Sequence, residues 1–155
     1  MAKGLKVSII ILNYNGREDT LECLESLKGL LTNNCRLEVV VVDNGSVDSS
    51  LEKLGNFQLI KNKKNLGFSG GNNVGIKYAL KNKADYLLLL NNDTLVDKNL
   101  LLQLIKAAED YKKAGILSPK IYFAPGFEFH KKRYRKSDRG KVIWYAGGNW
   151  DWKNL

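Results

Sequence analysis

The stretch Tyr86-Leu87-Leu88-Leu89-Leu90-Asn91-Asn92-Asp93-Thr94 sets an apolar run directly against two amides and a carboxylate. A buried parallel strand reads as a near-continuous apolar run, and ligands of an open α/β sheet gather beyond the carboxyl ends of its strands. The same transition occurs once upstream, where Leu37-Glu38-Val39-Val40-Val41-Val42 runs into Asp43-Asn44-Gly45-Ser46. Two core strands are therefore expected to carry a carboxylate each to one sheet edge. Carboxylates there can accept hydrogen bonds from a base or sugar, or hold a hard cation against a diphosphate.

Outward from these two strands, Val7 to Leu12 is a β-rich apolar run that reads as the first, central strand. Asn13-Tyr14-Asn15-Gly16 is a turn. Leu21, Leu24, Leu27, Leu30 and Leu31 then recur at helical spacing, with Glu18 and Asp19 where the helix dipole favours acids. Val47, Leu51 and Leu54 predict a short helix, and Phe57 to Ile60 a third strand. A glycine-rich loop, Asn65 to Asn73, leads into a helix carrying Val74, Tyr78, Ala79 and Leu80. Leu100, Leu101, Leu104, Ile105 and Ala108 predict an amphipathic helix. Ile116 to Phe123 reads as extended, with Pro119 at an edge or bulge.

This alternation predicts an α/β fold: a mostly parallel sheet with helices on both faces, occupying residues 1–125. Residues 126–155 differ in character. Glu128 to Lys141 holds seven Lys or Arg against two acids, which predicts a basic, mobile surface segment, followed by a further strand at Val142 to Tyr145.

The 155 residues are 44% hydrophobic and 26% charged, an ordinary globular balance that suffices for one core. The longest apolar runs are too short to span a bilayer. The opening Met1-Ala2-Lys3-Gly4 leads into a strand rather than a cleavable leader, so a cytoplasmic protein is expected. Cys23 reads as a small core residue, and Cys35 lies in a loop where a reducing compartment disfavours a disulfide. His130 stands alone among lysines, which gives a zinc site little support. The net charge of +9 suits polyanions, anionic membranes or phosphorylated small molecules, or equally a solvated lysine-rich face. No nucleic-acid-binding motif is visible, so nucleic acid is not expected as a partner.

Gly67-x-x-Gly70-Gly71-x-x-x-Gly75 is neither a dinucleotide fingerprint nor a P-loop. Such a run either lets backbone approach a ligand or makes a tight helix entry packed on the sheet. Asp43 and Asp93 could each cap a helix; together at one edge they would flank a crevice.

Val7 to Gly16 resembles the opening of the family 2 glycosyltransferases, and Val40 to Asp48 resembles their second motif. Asn65-Leu66-Gly67-Phe68-Ser69-Gly70-Gly71-Asn72-Asn73-Val74-Gly75-Ile76 is similar to the loop of the rhamnosyltransferase-like branch. Leu90-Asn91-Asn92-Asp93-Thr94 stands where that family has its Asp-x-Asp metal motif, with amides at two of the positions. The resemblance implies a GT-A fold and an inverting transfer of sugar from a nucleoside-diphosphate sugar, dTDP- or UDP-linked, to a glycan or lipid-linked acceptor in cell-wall or polysaccharide biosynthesis.

It further implies that Leu12 and Tyr14 border the base and that Asp43 accepts a hydrogen bond from it. Gly67 and Asn73 would belong to the nucleotide-sugar site. Asn92 would lie near ribose and diphosphate, and Asp93 would hold Mg²⁺ or Mn²⁺. On this resemblance the chain would correspond to the N-terminal, donor-binding half of such enzymes, with residues 126–155 leading into an acceptor half. No catalytic base is assigned. Peripheral contact with an anionic membrane at the inner face, and self-association, are expected as well. One rival is a module that binds nucleotide or nucleotide-sugar without transfer. A second, a sugar-1-phosphate nucleotidyltransferase, needs a glycine-rich basic loop after the first strand, which Asn13-Tyr14-Asn15-Gly16-Arg17 does not supply.

Overall fold

The computed structural model describes residues 4–32, 35–48 and 57–147. The chain divides into two compact units, residues 1–102 and 103–155. The expected boundary at residue 125 falls inside the second.

In the first unit, β1 (Lys6–Asn13), β2 (Arg36–Asp43), β3 (Gln58–Lys61) and β4 (Tyr86–Asn91) form a parallel sheet in the order β3-β2-β1-β4. α1 (Arg17–Leu27) follows β1, and α2 (Gly67–Lys81) links β3 to β4. β1 sits between β2 and β4, which is why Val7, Ile9, Ile10 and Ile11 are almost fully buried. Side chains alternate along a strand. Ile10 joins Val40, Val42 and Ala79 of α2 in one core cluster, with Leu12 packed against it. Asn13 faces the other way, where its Oδ1 accepts the Thr20 hydroxyl of α1. α1 buries Thr20, Cys23, Leu24 and Leu27.

Three expectations need correction. The helix after β3 begins at Gly67, so Gly70 to Asn73 are helical rather than loop. The reason is packing: a Cβ on Gly71 would lie 2.4 Å from Leu12 Cδ1, and one on Gly75 2.5 Å from Ile10 Cγ2. Glycine lets α2 seat this closely despite its poor helix propensity. β4 is not a buried strand. It stands at the sheet edge with α2 seated over β1 and β2, and Leu89 is 48% exposed. Finally, Ile116 to Phe123 does not extend the parallel sheet. Only Ile121–Tyr122 (β5) is strand, and it pairs antiparallel with β6 (Ile143–Tyr145) in a separate sheet of the second unit.

The predicted short helix at Val47 to Leu54 lies largely outside the described residues. The amphipathic helix is present as α3 (Leu100–Asp110). Between β5 and β6, two single 3-10 turns, Lys131–Arg133 and Lys136–Asp138, punctuate the basic segment. Among the described residues no helix is long and apolar enough to cross a membrane.

Candidate functional site

The parallel register brings the carboxyl ends of β1, β2 and β4 level: Asn13 pairs with Asp43, and Leu12 with Asn91. Beyond them the chain must turn without stranding buried polar groups. It does so with a side-chain network. The fully buried Asn13 accepts at Oδ1 from Gly16 N (3.2 Å) and Thr20 Oγ1 (2.9 Å), and donates from Nδ2 to Ser46 Oγ (3.1 Å). Ser46 Oγ also accepts from Asn15 N, and Ser46 N donates to Asp43 Oδ1 at 3.1 Å. The β1 and β2 turns are thereby tied to each other.

Asn44 is a second hub, 2% exposed. Its Nδ2 donates to Asn65 Oδ1 and to the Gly67 carbonyl, while its Oδ1 accepts from Asn62 Nδ2 and Leu66 N. All of its hydrogen-bonding capacity goes into fixing the approach to α2. The neighbouring Gly45 has φ +81, and a Cβ there would strike the Lys64 backbone at 2.6 Å.

A cavity of about 200 Å³ opens between β4, β1 and the start of α2. Leu12, Phe68, Asn72, Leu89, Leu90, Asn91, Asn92 and Asp93 line it. Of the residues named from the sequence, Leu12, Asn92 and Asp93 meet there. Tyr14 is half-exposed, Asp43 is partly buried and Asn73 is exposed on α2; none of the three lines this cavity, and nor does Gly67. Gly67 has φ +72 and is bonded to Asn44 and Asn65.

Phe68 and Asn72 were missed. They stand one helical turn apart on α2 and so share a face. The signal was present in the quoted glycine run, but it emerges only once the helix is begun at Gly67. Asn72 is nearly buried and donates to the Phe68 carbonyl. Asn92 does not offer its whole amide to a ligand. Its Nδ2 donates to Thr20 Oγ1 at 3.1 Å and to the Gly16 carbonyl at 3.4 Å, pinning the β4 turn to the start of α1. Glycine at position 16 leaves room for this contact, since a Cβ there would lie 2.7 Å from that nitrogen.

Asp93 is exposed at the cavity mouth. Below it, burial pushes the Cys23 thiol up from its ordinary value, against hydrogen bonds with Thr94 that lower it, with the Asp93 charge adding to the rise. Cys23 is a buried core residue, as read from the sequence. Among the described residues no cluster of three or more His, Cys, Asp or Glu could enclose a metal ion. The donor set fits a more open arrangement. A magnesium-like ion usually takes one or two carboxylates and completes its shell with substrate phosphates and water.

The carboxylates further along the chain have other work. Asp97 accepts from Asn99 just before α3. Asp138 accepts from Arg135 N. Glu128, 2% exposed, accepts from Gly126 N and Gly140 N, one on each oxygen. Asp151 lies outside the described residues.

A search of the curated proteins finds YfnE of Bacillus subtilis (strain 168), a glycosyltransferase without assigned role, 29% identical over 151 residues. That match covers 92% of this chain and 36% of YfnE. Agl10 of Haloferax volcanii, a hexosyltransferase of low-salt glycan biosynthesis, is 35% identical over 121 residues, covering 74% of this chain and 36% of Agl10. The chain therefore spans little more than a third of either relative. Among solved structures, residues 1-349 of S. aureus TarS in complex with UDP-GlcNAc superpose with a TM-score of 0.57 at 21% identity, over 77% of this chain and 40% of that TarS fragment. That likeness establishes a shared fold. The model of Glycosyl transferase family 2 matches residues 8–153, nearly the whole sequence, and the chain belongs to that family.

Proposed function

We propose that this chain forms the donor-binding part of an inverting glycosyltransferase that moves a sugar from a dTDP- or UDP-linked donor to a glycan or lipid-linked acceptor. The observation that carries this reading is the levelled edge of β1, β2 and β4, which sets Leu12, Asn92 and Asp93 around one cavity beside the Asp43 turn. The glycan-biosynthesis role of Agl10 and the UDP-GlcNAc bound by TarS support the substrate class. The Asn65 to Ile76 stretch supports the rhamnosyltransferase-like branch.

In this reading Asp43 recognises the base. One of its oxygens is held by Ser46 N, which fixes the carboxylate while leaving the other oxygen able to accept from a pyrimidine N–H. Tyr14 borders the same base. The start of α2, from Gly67 to Asn73, forms the opposite wall, with Phe68 supplying an apolar face and Asn72 an amide. Asp93 would hold the divalent cation, with substrate phosphates and water completing its shell, and that ion would stabilise charge developing on a diphosphate leaving group. The hydrogen bonds of Asn92 to α1 keep this corner rigid, so little reorganisation is needed as that charge develops. The protein acts in the cytoplasm, at the inner membrane face.

A thermal-shift panel of nucleotides and nucleotide-sugars, with and without Mn²⁺, tests this reading. UDP or dTDP compounds should raise the melting temperature, and Mn²⁺ should enlarge the rise. Asp43→Ala should weaken nucleoside and nucleotide-sugar binding alike. A panel in which no nucleoside diphosphate shifts melting would refute the proposal.

A further inference from the structure

The segment between β5 and β6 is closed at its base. Gly126 N and Gly140 N, fourteen residues apart in sequence, both bond to the one Glu128 carboxylate, at 2.9 and 2.7 Å. The Phe123 N bond to the Val142 carbonyl and the Gly140 approach to Pro125 continue the closure. Burial alone would raise the Glu128 carboxyl. The backbone N–H groups of Glu128, Gly140 and Gly126, with the Arg139 charge, outweigh it and hold the group below its ordinary value. Glu128 is therefore an ionised internal staple.

This staple changes the electrostatics of the loop. The other acid, Asp138, is also engaged with the backbone, at Arg135 N. Lys132, Arg133, Arg135, Lys136, Arg139 and Lys141 are exposed, and among the described residues none of them forms an ion pair. Beside them Phe127 and Phe129 are 75% and 67% exposed, and Trp144 on β6 is 56% exposed. Phe129 is held edge-on against Phe123 at 5.1 Å between centroids, so its position is set from within the loop.

We propose that the Glu128-stapled loop is a docking element for an anionic phospholipid surface, with Phe127 and Phe129 entering the headgroup layer and the flanking cations meeting lipid phosphate. This deepens the peripheral-membrane part of the proposed function and rests on that reading, but its readout does not require donor binding. Charge complementarity selects the partner. Cations of one sign interleaved with aromatic side chains match an interface that is negative at its surface and apolar just beneath. A protein partner would more often be met by a surface mixing both signs. Each basic residue near an anionic leaflet contributes about fivefold in partitioning.

The experiment is flotation of the full chain with vesicles of phosphatidylcholine alone, or of phosphatidylcholine mixed with phosphatidylglycerol, at low and high salt. The chain should float with the anionic vesicles, stay behind with the neutral ones, and be released by salt. The triple variant Lys132→Gln, Arg135→Gln, Lys136→Gln changes exposed side chains only and should lose on the order of 100-fold in partitioning. Phe127→Ser with Phe129→Ser should weaken binding to vesicles while leaving weak, salt-sensitive retention on a soluble polyphosphate. Equal flotation with neutral vesicles, no flotation with either, or an unchanged triple variant would overturn the proposal. So would tighter binding to a single-stranded oligonucleotide than to anionic vesicles at the same salt. UDP titrated by calorimetry into the parent chain separates the two readings, since a parent that binds UDP but does not float with anionic vesicles overturns only this one.

Discussion

Replacing Gly75 by alanine sets two physical effects against each other. Alanine is the better helix former by about 1 kcal/mol, and Gly75 lies in the middle of α2. On propensity alone the variant gains stability. Packing opposes this. The new methyl would arrive 2.5 Å from Ile10 Cγ2 and 3.1 Å from Val42 Cγ2. Ile10 and Val42 are fully buried on adjacent strands of the sheet, so neither can swing away. A contact of ordinary length requires α2 to lift by roughly 1 Å, which opens gaps around Ala79 and Leu12; such overpacking costs about 1–3 kcal/mol. Two clashes with fully buried side chains put the packing cost in the upper part of that range, about 2–3 kcal/mol, so the net loss after the propensity gain is about 1–2 kcal/mol. For a chain of this size that lowers the melting temperature by roughly 2–8 °C. Urea unfolding followed by far-UV circular dichroism measures it, with Gly115→Ala as the control, because nothing lies within 4 Å of a Cβ there. A Gly75→Ala protein as stable as the parent would refute close packing as the reason for glycine in α2.

Asn44→Ala should destabilise the first unit by about 2–4 kcal/mol, since a nearly buried hub of four hydrogen bonds is lost and its partners are only partly rescued by water; urea unfolding reads this. Glu128 predicts acid sensitivity in the second unit. Its folded value lies below the ordinary 4.5, so its stabilisation is fully present above that value and is lost as pH falls through the folded value. The Gly126 and Gly140 amides should exchange faster, and tryptophan fluorescence should change, in that acid window. Glu128→Gln should show the loosened state already at neutral pH.

The strands were legible where β-branched and leucine runs meet abrupt polar ends, as at Val42-Asp43 and Leu90-Asn91, because burial in a parallel sheet imposes that composition on both faces. The same run misled at β4. Leu87 and Leu89 read as core, yet their exposure depends on which strand takes the edge, and that is a tertiary fact. The start of α2 is not legible because Gly70, Gly71, Asn72 and Asn73 all have poor helix propensity, which close packing on Leu12 and Ile10 overrides. Phe68 and Asn72 were lost from the site for that reason. Asp93 was legible from its place at a strand end. The engagement of the Asn92 amide with Thr20 was not, since it joins positions 72 residues apart.

The most direct test of the central claim is calorimetric titration of UDP and dTDP into the parent chain and into Asp93→Ala, each with and without Mn²⁺. Asp93 is exposed at the cavity mouth, so the substitution should leave the fold and melting temperature essentially unchanged. If Asp93 holds the cation against the diphosphate, the parent binds more tightly with Mn²⁺ and the variant loses that increment while keeping its metal-free affinity. Unchanged Mn²⁺ dependence in Asp93→Ala would contradict the account.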